Sequence, residues 1–478
     1  MASTYSASLS AAIDEFLQQD EAPLYPGELT SMVARAIDQQ HIFLQAAQRF
    51  GTPQYMLEEE RLTAQIQRFR AAFAHPRQHT WVHYAFKANP TLPVVRRIRA
   101  AGLAADVSSG MELELAIRCG FDRIVFSGPA KTDDELELAL RHAGRVTVHL
   151  DSFLELERLA ARAAARGISV NAGIRLSLQS HGAWTKFGIP AEQLPAFVER
   201  SRKLQHVRVQ GVQFHLSWNR QAEGYCQTLE RLGPLLRAQA PAGGWHFVDI
   251  GGGYYPEDDE AVYPWLTPRG RIRAMLGLQP AEGPPDDWDL RYLLHPVQPV
   301  ETMAARIHQA FDRHIVACLG PVDLWLEPGR YLVNQAVHLL LQVADIKGPE
   351  VAITDGGTHL LGWERLETEH VPLINLSQPG SAQRRCRVFG SLCTPHDVWG
   401  YTYYGRGIDV GDVLLLPAQG AYVQTLAQRF IKPLCQTTVL QTSGTLRREE
   451  STETFARRYP RCSGRRGTDG CSGNRDTA

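Results

Sequence analysis

Lys87 stands in the apolar, β-like stretch His83-Tyr84-Ala85-Phe86-Lys87-Ala88-Asn89. Burying an amine is costly unless it is neutralised or bonded, and a lysine with a lowered pKa is what imine formation with a carbonyl requires. Other β-like runs end in groups that suit the same chemistry. Gly251-Gly252-Gly253 follows one of them, and consecutive glycines let backbone N–H groups approach a phosphate. Glu327-Pro328-Gly329-Arg330 ends another, and its guanidinium suits a charge-assisted contact with that phosphate. His215 with Ser217, and Asp106 followed by Glu112, close two more. Each has a plain structural alternative. These are a snorkelling lysine, a tight turn, a hydrogen-bonded core histidine, or one half of an ion pair.

Such residues act together only if a frame gathers them. From about residue 80, eight β-like runs appear in order, each followed by a segment of helical periodicity. They are WVHYAFKAN, GLAADVSS, RIVFSGP, VTVHLDS, NAGIRLS, VRVQGVQFHLS, HFVDIGGG and VDLWLEPGR. Thr132 with Glu135, and Ser152 with Glu155, have capping-box spacing at helix starts. Val94, Val95 and Ile98 form an apolar stripe on another helix. Strands alternating with helices imply a parallel sheet. Eight such units over about 250 residues match a closed (β/α)8 TIM barrel, whose working groups sit at the C-terminal strand ends. An open doubly wound sheet could also supply eight strands, but no G-x-G-x-x-G opens the first helix, which favours the barrel.

The expected fold class is therefore α/β, a barrel plus a C-terminal all-β domain. Residues 1–58 read as helices (Leu9–Leu17 and Met32–Phe50) and a strand at Gln54–Leu57 expected to join the β-domain. The barrel is assigned to 59–331 and the β-domain, rich in HLLLQVADIK-like runs, to 332–436. The polar segment 437–478 is expected to be disordered, because it buries too little apolar surface to offset its ordering entropy. The connection at 254–300, with Trp265, Trp288 and Tyr292, is too long for a simple turn and is expected to hang over the catalytic face.

Composition narrows the function. Lys plus Arg (50) and Asp plus Glu (51) nearly cancel, which argues against broad nucleic-acid binding. No run of about 18 apolar residues predicts a membrane span. The start of the chain has no basic segment followed by an apolar one, so no secretory signal is expected. The eight cysteines form no C-x-x-C pair, so neither disulfides nor a metal site is expected and a cytoplasmic setting is the default.

A lysine, a histidine able to stack, a phosphate cradle and a carboxylate around one barrel mouth suit pyridoxal 5'-phosphate. That cofactor needs an imine-forming amine, an anion site and a partner for its ring nitrogen. The ordered set HYAFKANP, ADVSSGMELELA, FHLS, DIGGG, EPGR, GSLCTPHD and GAY resembles the fold-type III pyridoxal phosphate decarboxylases, which include ornithine, diaminopimelate and arginine decarboxylases. The resemblance spans about Phe50 to Phe430 and implies an alanine-racemase-like plan.

It also implies roles. Lys87 carries the imine, His215 stacks on the ring, and Glu327 holds the ring nitrogen. Gly251, Gly252, Gly253, Ser217, Arg330 and Tyr422 serve the phosphate region, with Asp106, Glu112 and Arg175 as polar support. Cys393 is a proton donor supplied by the partner in a homodimer with shared sites, and Asp355, Thr394 and Asp397 lie on the substrate side.

The substrate is implied to be a small amino acid or amino-acid conjugate. Ornithine and diaminopimelate enzymes place an acidic residue just after the cysteine, whereas here Thr394-Pro395 follows, leaving a distal ammonium without a counter-charge. The Arg that clamps a distal carboxylate is displaced, with Gly362 and Trp363 in its region and Arg365 beyond. His215-Leu216-Ser217-Trp218 replaces the usual H-x-G-S. The C-T-P-x-D form resembles decarboxylases of siderophore and natural-product biosynthesis. The alternatives are a diaminopimelate enzyme with altered contacts, a basic (including D-) amino acid decarboxylase, an amino acid racemase, and an inactive antizyme-inhibitor-like relative. Retention of Lys87, the glycines and Arg330 opposes the last, and Glu327 in place of an Arg opposes the racemase.

Overall fold

The eight runs close on themselves. In the computed structural model they are Thr80–Ala85, Ala104–Val107, Ile124–Phe126, Val146–Leu150, Val170–Ser177, Val207–Gln213, Phe247–Asp249 and Asp323–Leu326. Each pairs in parallel with the next, and the last pairs with the first. The structure describes residues 12–17, 25–27, 30–178, 183–257, 261–278, 292–362 and 372–459.

Helices form where the spacing predicts. Leu92–Ala100 buries Val94, Val95 and Ile98 against the barrel. Thr132 and Glu135 make both bonds of a capping box. At the second predicted box only half forms. Ser152 accepts from the Glu155 N–H at 3.1 Å, but the Glu155 carboxylate accepts from the buried Lys131 ammonium at 2.7 Å. An ion pair with no access to water outcompetes a neutral cap.

The second sheet has nine strands and is apolar on both faces. Alternation of period two sends Tyr55, Leu57, Leu339, Leu341, Leu414 and Leu416 into the main core shared with the barrel. It sends Met56, Leu340, Ile374, Leu415 and Tyr404 to the opposite face. That second face needs a cover. Thr30–Asp38 and Gln40–Phe50 supply part of it through Val33, Phe43 and Ala46.

Described parts of the 254–300 connection add to that cover, which corrects the expected place of Trp265 and Tyr292 over the catalytic face. Tyr263, Trp265 and Tyr292 are buried on the β-domain, with the Tyr292 hydroxyl 2.8 Å from that of Tyr404. Its strands Ala261–Val262 and Tyr292–Leu294 join Tyr25–Gly27 in a small sheet. Trp288 lies outside the described residues.

The tail boundary is also corrected. Gln436–Leu440 is a strand inside the second sheet, parallel to Gln54–Glu58, and Leu446–Glu450 pairs with it as the edge. Its polar residues misled the reading because they are hydrogen-bonded within the sheet. Thr438 donates to Gln54 at 2.6 Å, and Gln436 donates to the Gly51 carbonyl at 3.2 Å. Residues 460–478 lie outside the described residues.

Candidate active site

Alternation along the barrel strands points every second side chain inward. Phe247 and Trp325 stack 3.6 Å apart and close the lower interior, with the Arg123 guanidinium 3.8 Å over Trp81. One step further along the same strands the interior becomes polar. His83, Asp106, His149, Gln213, Asp249 and Glu327 are all buried there.

Lys87 leaves the first strand on the short turn Phe86–Ala88. Its ammonium is 4.0 Å from Asp106, and its side chain keeps 38% of its exposure, so it is open to the mouth. The pKa is not lowered as expected. Burial pushes it down, but Asp106, Tyr422 and Glu327 together outweigh burial and the opposing Arg175, and the result lies above the ordinary value.

Asp106 accepts from the Ser127 hydroxyl at 2.5 Å, while its other oxygen has no hydrogen-bond partner. Burial and the nearby Glu327 raise its pKa, against Lys87, Ser127 and His215. The Glu112 carboxylate accepts from the Ser108 N–H at 2.7 Å and so serves the start of the helix Gly110–Arg118.

His215 is neutral, because burial, Lys87 and Arg175 hold its pKa well below the usual range. Its Nδ1 accepts from the Gly252 N–H at 3.2 Å, which leaves the ring proton on Nε2, 3.2 Å from the Ser217 hydroxyl oxygen. Ser217 therefore orients His215. Nδ1 also lies 3.8 Å from Glu327.

The three glycines are required by backbone proximity. A Cβ would lie 2.5 Å from the Phe214 carbonyl at Gly251, 2.3 Å from that of Glu327 at Gly252 and 2.2 Å from that of Leu216 at Gly253. Gly251 and Gly253 also take φ of 72° and 99°, where side chains are disfavoured. This leaves a strand end of bare backbone beside His215. Arg330 is buried, with its guanidinium 5.1 Å from the ring centres of both Tyr255 and Tyr422. Tyr422 comes from the β-domain, and its N–H donates to the Ala88 carbonyl at 2.7 Å, next to Lys87. Arg175 lies 3.9 Å from Asp151 and 4.6 Å over Phe187.

The three substrate-side residues all take part in hydrogen bonds of the β-domain. The buried Asp397 accepts from the Thr358 N–H at 2.6 Å, the Thr358 hydroxyl at 2.9 Å and the Leu392 N–H at 2.7 Å. It pins the turn that carries Cys393. Asp355 accepts from the Thr52 hydroxyl at 2.6 Å and the Gln342 N–H at 2.9 Å, so its carboxylate is used to join segments of the β-domain. The Thr394 N–H donates to the Leu392 carbonyl at 2.9 Å in the same turn. Cys393 is exposed. Trp363 and Arg365 lie outside the described residues. Three residues were missed: His149, Asp249 and Gln213. The signal was present, since each is a polar residue at an inward position of a buried strand. At the mouth, Trp218 is 51% exposed with φ of 54° and meets Trp184 edge-on at 6.1 Å.

A closed barrel with a lysine, a carboxylate pair and a glycine cradle at its mouth, joined to a β-domain that contributes a tyrosine, defines a class of pyridoxal phosphate enzymes. The family model of the pyridoxal-dependent decarboxylase pyridoxal-binding domain matches residues 59–334. That of the C-terminal sheet domain matches 330–420. The chain belongs to the pyridoxal-dependent decarboxylases and is a carboxy-lyase that uses pyridoxal phosphate.

It is 29% identical over 406 residues to a diaminopimelate decarboxylase of Deinococcus radiodurans, covering 82% of this chain and 90% of that protein. It is 29% identical over 397 residues to the enzyme of that name from Pseudomonas aeruginosa (79% and 84%). Among solved structures, diaminopimelate decarboxylase from M. jannaschii with L-lysine superposes with a TM-score of 0.72 at 24% identity, over 88% of this chain and 94% of that one. Lysine/ornithine decarboxylase from Vibrio vulnificus with putrescine superposes at 0.66 and 22% identity, over 84% and 98%. Among the described residues no helix is long and apolar enough to cross a membrane.

The residues present fit the cofactor. Lys87 is open to the mouth, the buried Asp106 keeps an unpartnered oxygen, and the strand end beside His215 has no room for a Cβ.

Proposed function

We propose that this chain removes the α-carboxylate of an amino acid of the diaminopimelate type. The observation that carries this reading is the relatives' shared description, diaminopimelate decarboxylase, over about four fifths of the chain. Lys87, Asp106, His215 and Glu327 gathered at one mouth are consistent with it. When bound, pyridoxal phosphate accepts the electron pair freed as carbon dioxide leaves. The chain's own residues do the rest. Lys87 would supply the amine that holds the cofactor, Glu327 would keep a proton at its ring nitrogen, and His215 would support its ring. Gly251 to Gly253, Arg330 and Tyr422 hold its phosphate end, with Arg175 as polar support. Cys393, exposed in the single chain, reaches the site from a second copy in a homodimer and returns the proton to the substrate carbon.

A second reading has its own observation. Thr394-Pro395 offers no negative charge after Cys393, and Trp184 and Trp218 stand at the mouth. Both favour a bulkier amino-acid conjugate, of the kind used in siderophore assembly, over a bare diamino acid. The test is carbon dioxide release from meso-diaminopimelate, L-ornithine, L-lysine, D-lysine and a citryl–diaminopropionate conjugate, with Lys87→Ala as the silent control. Release from diaminopimelate supports the first reading. Release from the conjugate alone replaces it with the second. Release from none of the panel overturns both.

A further inference from the structure

Beneath Glu327 lies a buried group that the chemistry above does not use. His149 on the fourth strand has its Nε2 3.9 Å from Asp249 Oδ2 and its Nδ1 3.8 Å from Glu327 Oε1. All three side chains are almost fully buried. Both His149 nitrogens and Asp249 Oδ2 lack a hydrogen-bond partner. Unsatisfied polar atoms in a protein interior are rare and costly. Three of them facing one another across two gaps of similar length need a common explanation.

We propose that His149 is a positioning residue for Glu327, closing a buried chain in which the Asp249 carboxyl O–H donates to His149 Nε2 and His149 Nδ1–H donates to Glu327. The protons balance. Asp249 Oδ1 already accepts from the Gly251 N–H at 2.8 Å, so Oδ2 carries the acid proton. The imidazole is neutral with its proton on Nδ1, and Glu327 remains the single carboxylate. Gln213 donates to Glu327 at 3.2 Å from a second direction. A contraction of somewhat under 1 Å at each gap reaches ordinary hydrogen-bond distance and satisfies all three orphaned atoms.

The pocket is built for this ring. A Cβ on Gly173 would lie 2.7 Å from His149 Cδ2, so only glycine leaves it space. Phe247 and Trp325 flank the ring at 5.9 and 6.4 Å, within 24° and 23° of parallel. The surroundings favour the neutral forms. Burial, then His83, Lys131 and Arg175, push the His149 pKa well below its usual range. Burial, then the Glu327 charge, push Asp249 well above its own, against the Gly251 N–H, with Asp106 and a side-chain hydrogen bond to Glu327 adding to the rise. That bond is the competing use of the Asp249 proton, and an acid band unmoved by the His149 variants would select it. The facing groups are His83 from the first strand, Asp106 from the second, Lys131 after the third, Arg175 from the fifth, Asp249 from the seventh and Glu327 from the eighth. Lys131 bonds the His149 carbonyl at 2.7 Å.

The inference concerns the protein before cofactor binds, so it stands or falls apart from the substrate. Infrared spectroscopy of the apoprotein at neutral pH should show a buried carboxylic acid band that moves on deuteration. Asp249→Asn should abolish it, and His149→Phe should shift it, because the acid loses its acceptor. In the reconstituted protein, His149→Phe should weaken cofactor affinity about tenfold, the worth of one charge-assisted hydrogen bond. It should also make the cofactor absorbance titrate across the neutral range, where the parent protein's is constant. His149→Asn, which keeps a donor toward Glu327, should restore the affinity, and it serves for the infrared comparison if the phenylalanine variant does not fold. Absence of the acid band, a band unmoved by both His149 variants, or a His149→Phe protein with parental affinity and titration overturns the proposal.

Discussion

Asp397 sits four residues after Cys393, where a substrate contact was expected, yet its carboxylate is used inside the β-domain. Replacing it with alanine separates the two roles. Two backbone N–H donors, from Thr358 and Leu392, and the Thr358 hydroxyl lose their acceptor at once. All three bonds end on a carboxylate, and hydrogen bonds to a charged group are worth about 1.5–3 kcal/mol each. The sum is about 4.5–9 kcal/mol, but Thr358 and Leu392 are only half-buried, and water replaces part of the loss. About 3 kcal/mol is the expected destabilisation, a fall in Tm of roughly 3 °C for a chain of 478 residues. Gly357 and Gly390 support this reading, since a Cβ at either would press on Asp397 Oδ2, at 3.0 and 2.3 Å. The assays are thermal unfolding and the rate of Cys393 alkylation, which should rise as the turn loosens. Asp397→Asn, keeping one acceptor, should fall between. An alanine variant with parental Tm and alkylation rate but a raised KM would refute the structural role and restore the substrate contact.

Two other outcomes follow from the mouth. Gly252→Ala forces a Cβ to 2.3 Å from the Glu327 carbonyl, so the seventh and eighth strand ends must part. The variant should fold but lose cofactor affinity by at least tenfold, read by absorbance titration. Lys87 has its pKa raised, so its ammonium persists up to and beyond pH 10.5, the stability it contributes is full below that value, and it is lost only as pH climbs past the folded value. Imine formation needs the free amine. Apoprotein loading should therefore accelerate about tenfold per pH unit through the neutral and mildly alkaline range. Asp106→Asn, which removes the nearest carboxylate, should shift that curve to lower pH, and a pH-independent rate would contradict the electrostatic reading.

The barrel was legible because period-two runs and capped helices are local signals. Thr132 with Glu135 and the stripe of Val94, Val95 and Ile98 needed nothing from elsewhere in the chain. What failed depended on distant partners. Thr437 and Thr438 look like tail residues until Gln54–Glu58 lies beside them. Trp265 and Tyr292 look like a lid until the uncovered face of the β-sheet is seen. The bonds that Asp355 and Asp397 accept from Thr52, Gln342, Thr358 and Leu392 likewise come from residues distant in sequence or across a turn and have no local signal. His149 and Asp249 sit in strands that read as buried, and only the closed barrel brings His149 to 3.9 Å from Asp249 and 3.8 Å from Glu327.

The division of labour in the site follows from the same physics. Lys87, Asp106, His215 and Glu327 hang from the C-terminal ends of the first, second, sixth and eighth parallel strands, whose register is fixed by the hydrogen-bonded barrel. A displacement of any one strand breaks several backbone bonds, so the groups proposed to meet the cofactor are held by the most cooperative part of the fold. Cys393 and Thr394 ride on a short turn whose position depends on one carboxylate, Asp397. Trp218 sits on a turn with a left-handed residue. Exchanging a side chain on such turns disturbs few neighbours, so substrate preference can change there while the strand-end groups keep their geometry. The absence of an acidic residue after Cys393 is therefore compatible with an intact decarboxylation centre, and on the proposed function the choice between a diamino acid and a larger conjugate would rest on those turns rather than on the barrel.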